Sequence, residues 1–184
     1  MTTATTGGVP AAETVPILDF GSQYTQLIAR RVRELGAFSL LVAPDTDLQT
    51  LRDLNPKGVI LSGGPSSVHE SGAPACDPGI LDLGVPVLGI CYGMQLGCEM
   101  LGGTVKSASS REYGRAQLEI GNDEGLLSGI PARTSVWMSH GDQVTGLSDA
   151  FEAVASTSTC PFAAVRHRER PFWGVQFHPE VTHT

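Results

Sequence analysis

The sequence has little of several features that mark specialised classes of protein. Its 184 residues include only 4 cysteines, which show neither the paired CxxC spacing of a zinc site nor the density of a disulfide scaffold. No apolar stretch approaches the roughly 20 residues of a membrane-spanning helix. Acidic residues outnumber basic ones by 19 to 12, and this excess disfavours nucleic acid and anionic membranes as partners. We therefore expect a cytoplasmic protein whose cysteines have no metal or disulfide role.

The length fits one folded domain and is too short for a two-domain enzyme that uses ATP. Single domains usually have about 100 to 200 residues, and 41% of this chain is hydrophobic, which suits a folded interior. The N-terminus is rich in threonine and alanine and lacks the basic flank and apolar block of a secretory signal. We predict a disordered tail over residues 1–14 and a domain over residues 15–184.

Short apolar runs alternate with helical patterns in the first half of the chain. The patterns predict strands at 17–20, 38–42, 58–61 and 85–90, and helices at 24–35, 48–54 and 94–101. Apolar strands separated by helices are typical of a buried parallel sheet. The second half is punctuated by glycine and predicts short strands, many of them antiparallel. The predicted fold is α/β: a flavodoxin-like, mostly parallel central sheet flanked by helices, with added antiparallel strands in the C-terminal half.

Cys91 has the neighbours of a nucleophile. It stands between Gly89 and Gly93 in a G-x-C-x-G pattern, where the strand at 85–90 gives way to the helix at 94–101. Such a turn exposes its central side chain at the carboxyl edge of the sheet, and the helix N-terminus favours thiolate over thiol. An isolated cysteine is more often a small core residue, but the two glycines at this junction favour a nucleophile.

A cysteine nucleophile needs a base, and His178 is the best placed of the five histidines. It lies in His178-Pro179-Glu180, and the proline favours an extended conformation for the residue before it. Side chains two residues apart in an extended chain point the same way, so Glu180 can orient one ring nitrogen while the other faces Cys91. This arrangement is that of a nucleophile, base and orienting carboxylate. By itself, His-Pro-Glu is more often a surface turn.

Oxyanion donors are predicted at two backbone positions. Ser62-Gly63-Gly64-Pro65 follows the third predicted strand, and glycines let backbone N–H groups approach a ligand closely. We assign one donor to the N–H of Gly64 and the other to the N–H of Tyr92. The alternatives are a plain turn or a phosphate loop; against the phosphate loop, no lysine follows the glycines and Pro65 lacks an N–H.

Several segments together resemble the class I glutamine amidotransferase family. They are VILSGGPSSV at 59–68, PVLGICYGMQL at 86–96, VWMSHGD at 136–142 and GVQFHPEVTHT at 174–184. ILDFGSQYTQLIARRVRE at 17–34 and REYGRA at 111–116 resemble, more narrowly, the glutaminase portion of GMP synthetases. The resemblance extends from about Val15 to Thr184.

The resemblance implies hydrolysis of L-glutamine to glutamate and ammonia through a thioester. Cys91 attacks the side-chain amide, His178 protonates the departing ammonia and then activates water, and the backbones of Gly64 and Tyr92 hold the oxyanion. The resemblance further implies that Gln95 contacts bound glutamine. The pocket would be completed by Gly63, Ser139, His140 and Gly141. No metal or other cofactor is expected in this domain.

In the family, the ammonia passes to a synthetase (ATP pyrophosphatase) domain, on the same chain or a separate subunit, which aminates XMP to GMP. We expect ATP and magnesium to bind only in that domain, because the nearest match here to its Ser-Gly-Gly-x-Asp-Ser loop carries Pro65 and Ser66. The full enzyme is expected to be a homodimer. The chain is expected to stop before a closing helix and before any synthetase domain, which would leave apolar surface uncovered.

Two alternatives stay open. The same fold and triad could serve another acceptor enzyme, as in anthranilate, CTP or carbamoyl phosphate synthesis, although REYGRA and VTHT argue against it. A non-catalytic binding module could also keep the sheet and its glycine-rich loops. The joint presence of Cys91, His178 and Glu180 argues against that module, since a pure binder does not need all three.

Overall fold

One mixed sheet organises the protein. The computed structural model describes residues 13–184, and of residues 109–111 it describes the backbone only. In this part of the chain the strands are Thr14–Leu18 (β1), Phe38–Val42 (β2), Val59–Leu61 (β3), Val87–Ile90 (β4), Thr104–Ile120 (β5), Arg133–Gly146 (β6), Phe151–Ser156 (β7), Ala164–His167 (β8) and Phe172–Val175 (β9). The α-helices are Thr25–Glu34 (α1), Leu48–Asp53 (α2) and Tyr92–Met100 (α3), and short 3-10 helices span Pro78–Asp82 and Gly125–Leu127.

Strand β9 joins a parallel half of the sheet to an antiparallel half. The strand order is β2-β1-β3-β4-β9-β8-β7-β5-β6. Strands β2, β1, β3, β4 and β9 run parallel, whereas the pairs from β9 through β8, β7 and β5 to β6 are antiparallel. Gly89 pairs with Gly174 and Ile90 with Val175, so the carboxyl ends of β4 and β9 lie side by side.

Apolar side chains cover both faces of the parallel half, as successive residues of a strand point to opposite faces. Leu18 and Leu61 pack in the same core cluster as Met94 of α3. Their neighbours Ile17 and Ile60 belong to a second cluster, together with Ile28 of α1. Helices on both faces of a parallel sheet are the arrangement that the continuous apolar strands predict, and the predicted α/β fold is confirmed.

Most predicted elements of the first half are present with small shifts at their ends. Strand β2 has the predicted bounds, but β1 begins at Thr14 rather than at residue 17, because Thr14–Leu18 pairs in parallel with Phe38–Val42. The predicted tail falls mainly on residues 1–12, which lie outside the described residues. Its last two residues belong to the folded domain, since the carbonyl of Glu13 accepts a hydrogen bond from the N–H of Phe38.

The second half contains a long hairpin where the sequence predicts only short strands. Strand β5 has 17 residues and β6 has 14, and they pair from Thr104–Gly146 to Glu119–Arg133. Register shifts near Thr104 and between Ser107 and Glu112, together with a positive φ of 104° at Gly114, interrupt the alternation of side chains. These irregularities hide the length of the strands from a search for apolar periodicity.

An apolar groove lies along one face of the sheet, beside the loop that contains Leu126. Two adjoining hollows of about 400 and 390 Å³ share Leu88 and Leu126, and nearly all of their lining is apolar. Trp173 borders the first hollow, and Ile130 borders the second and is itself 43% exposed. Among residues 13–184, no helix is both long and apolar enough to cross a membrane.

Candidate active site

Cys91 occupies the sharp turn between β4 and α3. Its φ of 51° and ψ of -106° are unusual for a residue with a side chain. The N–H of Cys91 donates to the carbonyl of Val175 (2.8 Å), and the N–H of Gly93 donates to the carbonyl of Ser62 (3.0 Å). Hydrogen bonds to β9 and to the residue after β3 therefore hold the strained residue in place, as is common where strain serves function.

Glycines on both sides of Cys91 make the turn possible. A Cβ added to Gly93 would lie 2.6 Å from the carbonyl carbon of Leu61, and one added to Gly89 would lie 2.6 Å from the carbonyl oxygen of Gly93. Backbone atoms cannot move aside as a flexible side chain can, so both positions require glycine. This close approach packs the first turn of α3 directly against β3 and β4.

His178 and Glu180 meet Cys91 from the segment that follows β9. Nδ1 of His178 lies 2.8 Å from Oε1 of Glu180, and the N–H of His178 donates to the carbonyl of Trp137 (3.0 Å). The residues Cys91, His178 and Glu180 are 5%, 4% and 3% exposed. The structure thus brings together the three residues that the sequence analysis predicts as a triad.

The surroundings of His178 favour its charged form. Burial alone would lower the pKa of the ring, but hydrogen bonds with Cys91 and Glu180 outweigh burial and raise the pKa of His178 from 6.5 to about 10. The edge of Tyr24 packs against the imidazole, with 5.4 Å between ring centroids, and further restricts its orientation.

Two polar hollows open on Cys91. One, of about 450 Å³, is bordered by Gln95 and the 139–142 segment; the other, of about 300 Å³, is bordered by Tyr24 and His178. Both include Cys91, Gly64, Pro65 and Ser139. Cys91 therefore lies where the two hollows meet.

Of the two predicted oxyanion donors, Gly64 borders this site and Tyr92 directly follows Cys91 in the chain. Gly64 lines both hollows and packs so closely on Phe20 that an added Cβ would be 2.6 Å from the carbonyl oxygen of Phe20. Tyr92 is the first residue of α3, where N–H groups have no partner within the helix. Its side chain is anchored elsewhere, because its hydroxyl donates to the carbonyl of Pro74 (2.5 Å). The assignment of both donors stays a prediction.

Comparison with known proteins identifies the family. Residues 16–184 match the family model described as glutamine amidotransferase class-I. The chain belongs to the class I glutamine amidotransferase family. This amidotransferase is 52% identical over 174 residues to the glutamine-hydrolyzing GMP synthase of Enterococcus faecalis, and 54% identical over 171 residues to that of a Synechococcus strain. The alignments cover 95% and 92% of the chain but only 34% and 32% of these relatives, so it spans about a third of their length.

Solved structures agree with this assignment. A protein from Thermoplasma acidophilum, described as a GMP synthase component, superposes with a TM-score of 0.86 at 32% sequence identity. That superposition covers 95% of the amidotransferase and 87% of the other chain. A glutamine amidotransferase from Thermotoga maritima, at 22% identity and a TM-score of 0.73, shares the fold.

The residues predicted to bind substrate lie around Cys91 of the amidotransferase. Gln95, Ser139, His140 and Gly141 border the same hollow as Cys91. Gly63 lies beside two of the predicted triad residues, where an added Cβ would be 3.2 Å from Cε1 of His178 and 3.6 Å from Cβ of Cys91. The carbonyl of Ser139 accepts from the Cys91 thiol at 3.7 Å. Their contacts with substrate stay predictions.

The imidazole of His140 faces the protein interior. Its side chain is 0% exposed, with Nε2 3.0 Å from Oε2 of Glu112 and Nδ1 3.0 Å from the carbonyl of Asp142. His140 can therefore border the hollow only through its main chain. Its side chain instead ties β6 to Glu112 of β5.

Glu112, His140 and Cys160 form the one group of three potential metal ligands found among the described residues. Their donor atoms lie within 4.8 Å of one another. The carboxylate, however, already bonds His140 and the hydroxyls of Thr157 and Thr159. Burial and the nearby Glu112 raise the pKa of Cys160 to about 12, which keeps its thiol protonated. We interpret the group as a hydrogen-bonded network, and the expected absence of a metal stays a prediction.

Three residues that support the site are not among the predicted site residues. Gln176 is completely buried and donates to Sγ of Cys91 (3.6 Å). Nε of Arg31 on α1 donates to the carbonyl of Glu180 (3.2 Å). Ser62 accepts from the N–H of Phe20 and donates to the carbonyl of Gly63. Of these, Gln176 had a signal in the sequence, since it lies two residues before His178 in an extended segment.

Proposed function

We propose that this amidotransferase hydrolyses L-glutamine to glutamate and ammonia, and that the ammonia is used to aminate XMP to GMP. One observation carries the glutaminase step: the buried imidazole of His178 lies 2.8 Å from Glu180 on one side and shares a hollow with Cys91, which sits at a helix N-terminus. A nucleophile, a base and an orienting carboxylate in contact are what acyl transfer requires.

In the first half-reaction the Cys91 thiolate attacks the side-chain amide carbon of glutamine. The carbonyl oxygen becomes an oxyanion, for which the N–H groups of Gly64 and Tyr92 are the proposed donors. The imidazolium of His178 then gives its proton to the departing nitrogen. The C–N bond breaks, ammonia leaves and a thioester links Cys91 to the glutamyl group.

In the second half-reaction the neutral ring of His178 takes a proton from water. The hydroxide equivalent attacks the thioester carbon, and a second oxyanion forms at the same donors. When it collapses, the C–S bond breaks, glutamate leaves and the Cys91 thiolate is restored beside the imidazolium. Throughout, Glu180 keeps Nδ1 protonated and directs the other ring nitrogen at the sulfur.

The proposed acceptor follows from the names of the relatives. Two glutamine-hydrolyzing GMP synthases are 52% and 54% identical to this chain, which matches about a third of their length. The rest of such an enzyme, on the same chain or a separate subunit, would bind ATP, magnesium and XMP. Anthranilate, CTP or carbamoyl phosphate synthesis is the alternative use of the ammonia, and the identity to GMP synthases favours XMP.

The test compares Cys91→Ala with Cys98→Ala. Both cysteines are buried, but Cys98 lies in the core on α3, where burial raises the pKa of its thiol. We expect Cys91→Ala to lose glutamine hydrolysis while it stays folded, and Cys98→Ala to keep it. Hydrolysis by folded Cys91→Ala would discard the proposed nucleophile.

A second measurement tests the acceptor. Combined with a GMP synthetase domain, ATP, magnesium and XMP, the unaltered chain should support GMP formation from glutamine. Cys91→Ala should support it only from added ammonium. Failure of the unaltered chain to deliver ammonia to XMP, with glutamine hydrolysis intact, would point to another acceptor.

A further inference from the structure

The side chain of Gln176 reaches the reactive sulfur from inside the protein. Gln176 follows β9 directly and is 0% exposed. Its Nε2 lies 3.6 Å from Sγ of Cys91, within the range of an N–H···S hydrogen bond. A buried amide donor gains most when its acceptor carries a charge, so this contact favours a thiolate at Cys91.

Gln95 determines which end of the Gln176 amide faces the sulfur. Nε2 of Gln95 donates to the backbone carbonyl of Asp142 (2.8 Å) and to Oε1 of Gln176 (3.1 Å). A backbone carbonyl can only accept, so Gln95 must direct its NH2 group to Asp142. The second N–H of that group donates to the amide oxygen of Gln176. The amide nitrogen of Gln176 therefore faces Cys91.

The hydrogen-bonded chain continues to strand β5. The carbonyl of Asp142 also accepts from Nδ1 of His140 (3.0 Å), and Nε2 of His140 lies 3.0 Å from Glu112. Buried networks in which every member is satisfied fix side-chain geometry closely. Both hydrogens of the Gln95 NH2 group are used within the protein, which leaves only its oxygen free for a ligand.

We infer that Gln176 is a catalytic residue of the proposed glutaminase reaction, whose N–H stabilises the Cys91 thiolate, and that Gln95 is the positioning residue that orients it. The inference rests on the proposed function and adds a donor to the sulfur beyond His178. It gives the REYGRA and MSHGD segments a shared role, since Glu112 and His140 belong to them and hold the far end of the chain of hydrogen bonds.

The test is the pH dependence of Cys91 alkylation by iodoacetamide, followed by mass spectrometry of the peptide that contains Cys91. In Gln176→Met, which keeps the length of the side chain but has no donor, we expect the midpoint of alkylation to rise by about one pH unit. Glutaminase kcat at neutral pH should fall about tenfold with KM little changed. An unchanged midpoint in folded Gln176→Met would overturn the inference.

Gln95→Met covers the case in which Gln176→Met does not fold. It leaves Gln176 in place but removes the bond that orients its amide, so a smaller upward shift is expected, and no shift contradicts the inference. Gln117→Met is the matched control, because this exposed amide on β5 donates to the carbonyl of Thr134. An equal shift in the control would also contradict it. Alkylation needs no turnover, so this result is independent of whether Cys91→Ala abolishes glutamine hydrolysis.

Discussion

Nδ1 of His178 lies 2.8 Å from Oε1 of Glu180, and the two side chains are only 5% and 2% exposed. The second carboxylate oxygen, Oε2, is buried without a hydrogen-bond partner among residues 13–184. The carboxylate therefore directs its charge mainly at one ring nitrogen. Glu180 is thus the fixed hydrogen-bond partner of the His178 ring.

The stability of the protein should fall as the pH rises above neutrality. The pKa of His178 is raised from 6.5 to about 10, so between these values the folded protein binds a proton that the unfolded chain releases. The stabilisation is complete below pH 6.5 and is lost as the pH approaches 10. Chemical denaturation at several pH values should show this decline, and His178→Asn should show a flatter one. Parallel curves for the two proteins would contradict the assignment.

Replacing the charge of Glu180 while keeping its shape should separate orientation from electrostatics. Glu180→Gln can still accept from Nδ1 of His178, but without the negative charge the pKa of His178 should fall and kcat for glutamine should drop at least ~10-fold. NMR titration of the ring and steady-state kinetics measure the two effects. Glu169→Gln, at an exposed position, should leave both unchanged. Full activity of Glu180→Gln would remove the charge from the proposed mechanism.

Gly93→Ala should disrupt the turn that carries the nucleophile. The new Cβ would be 2.6 Å from the carbonyl carbon and the Cβ of Leu61, so α3 would have to move away from β3 at a cost of about 2–4 kcal/mol. Gly121→Ala is the control, because its nearest neighbour would be 3.9 Å away. Denaturation midpoints and glutaminase assays compare the two. Comparable stability of both variants would show that α3 moves without strain.

Ser62→Ala should loosen the loop that carries the predicted oxyanion donor. The buried hydroxyl accepts from the N–H of Phe20 (3.0 Å) and donates to the carbonyl of Gly63 (2.8 Å). Its removal leaves a buried N–H unpaired, which costs about 1–3 kcal/mol of the free energy of unfolding. Denaturant unfolding should detect the loss, whereas Ser128→Ala, at an exposed position, should change little. An unaffected Ser62→Ala would indicate that another group replaces the hydroxyl.

Glu112→Ala should be far more costly than Glu119→Ala on the same strand. Glu112 bonds His140, Thr157 and Thr159, and losing it leaves the buried His140 and Thr157 without this acceptor, at a cost of about 2–4 kcal/mol. Glu119 pairs with Arg133 at the surface, where such a pair is worth up to about 1 kcal/mol. Urea unfolding of the two variants compares these values. Equal losses would mean that the buried network contributes no more than a surface pair.

The sequence predicts the parallel half of the fold well because local signals agree there. The apolar run of β2 and the helical period of α1 coincide with the observed elements. The hairpin of β5 and β6 is predicted poorly, since bulges and Gly114 break its alternation. Nothing local indicates that β9 lies between β4 and β8, because sheet order depends on contacts distant in the sequence.

Some residues of the candidate site can likewise be predicted from the sequence, and others cannot. Cys91, His178 and Glu180 can be predicted because a strand-to-helix turn and an i, i+2 spacing each have a local geometric meaning. The contact between His140 and Glu112 cannot be predicted from the sequence, because the two residues lie on neighbouring strands whose register is irregular. Gln176 has the spacing of a site residue, but its link to Cys91 requires knowing that β4 and β9 are neighbours.

Insertion of β9 between β4 and β8 also brings the surroundings of Cys91 together. The N–H of Cys91 bonds to Val175 at the end of β9, and the residues that follow supply Gln176 and His178. Without β9 in place, Cys91 would lose this backbone hydrogen bond together with the neighbouring imidazole and the buried amide. The proposed chemistry therefore depends on the pairing of β4 with β9, and detachment of β9 would remove these groups from Cys91 together.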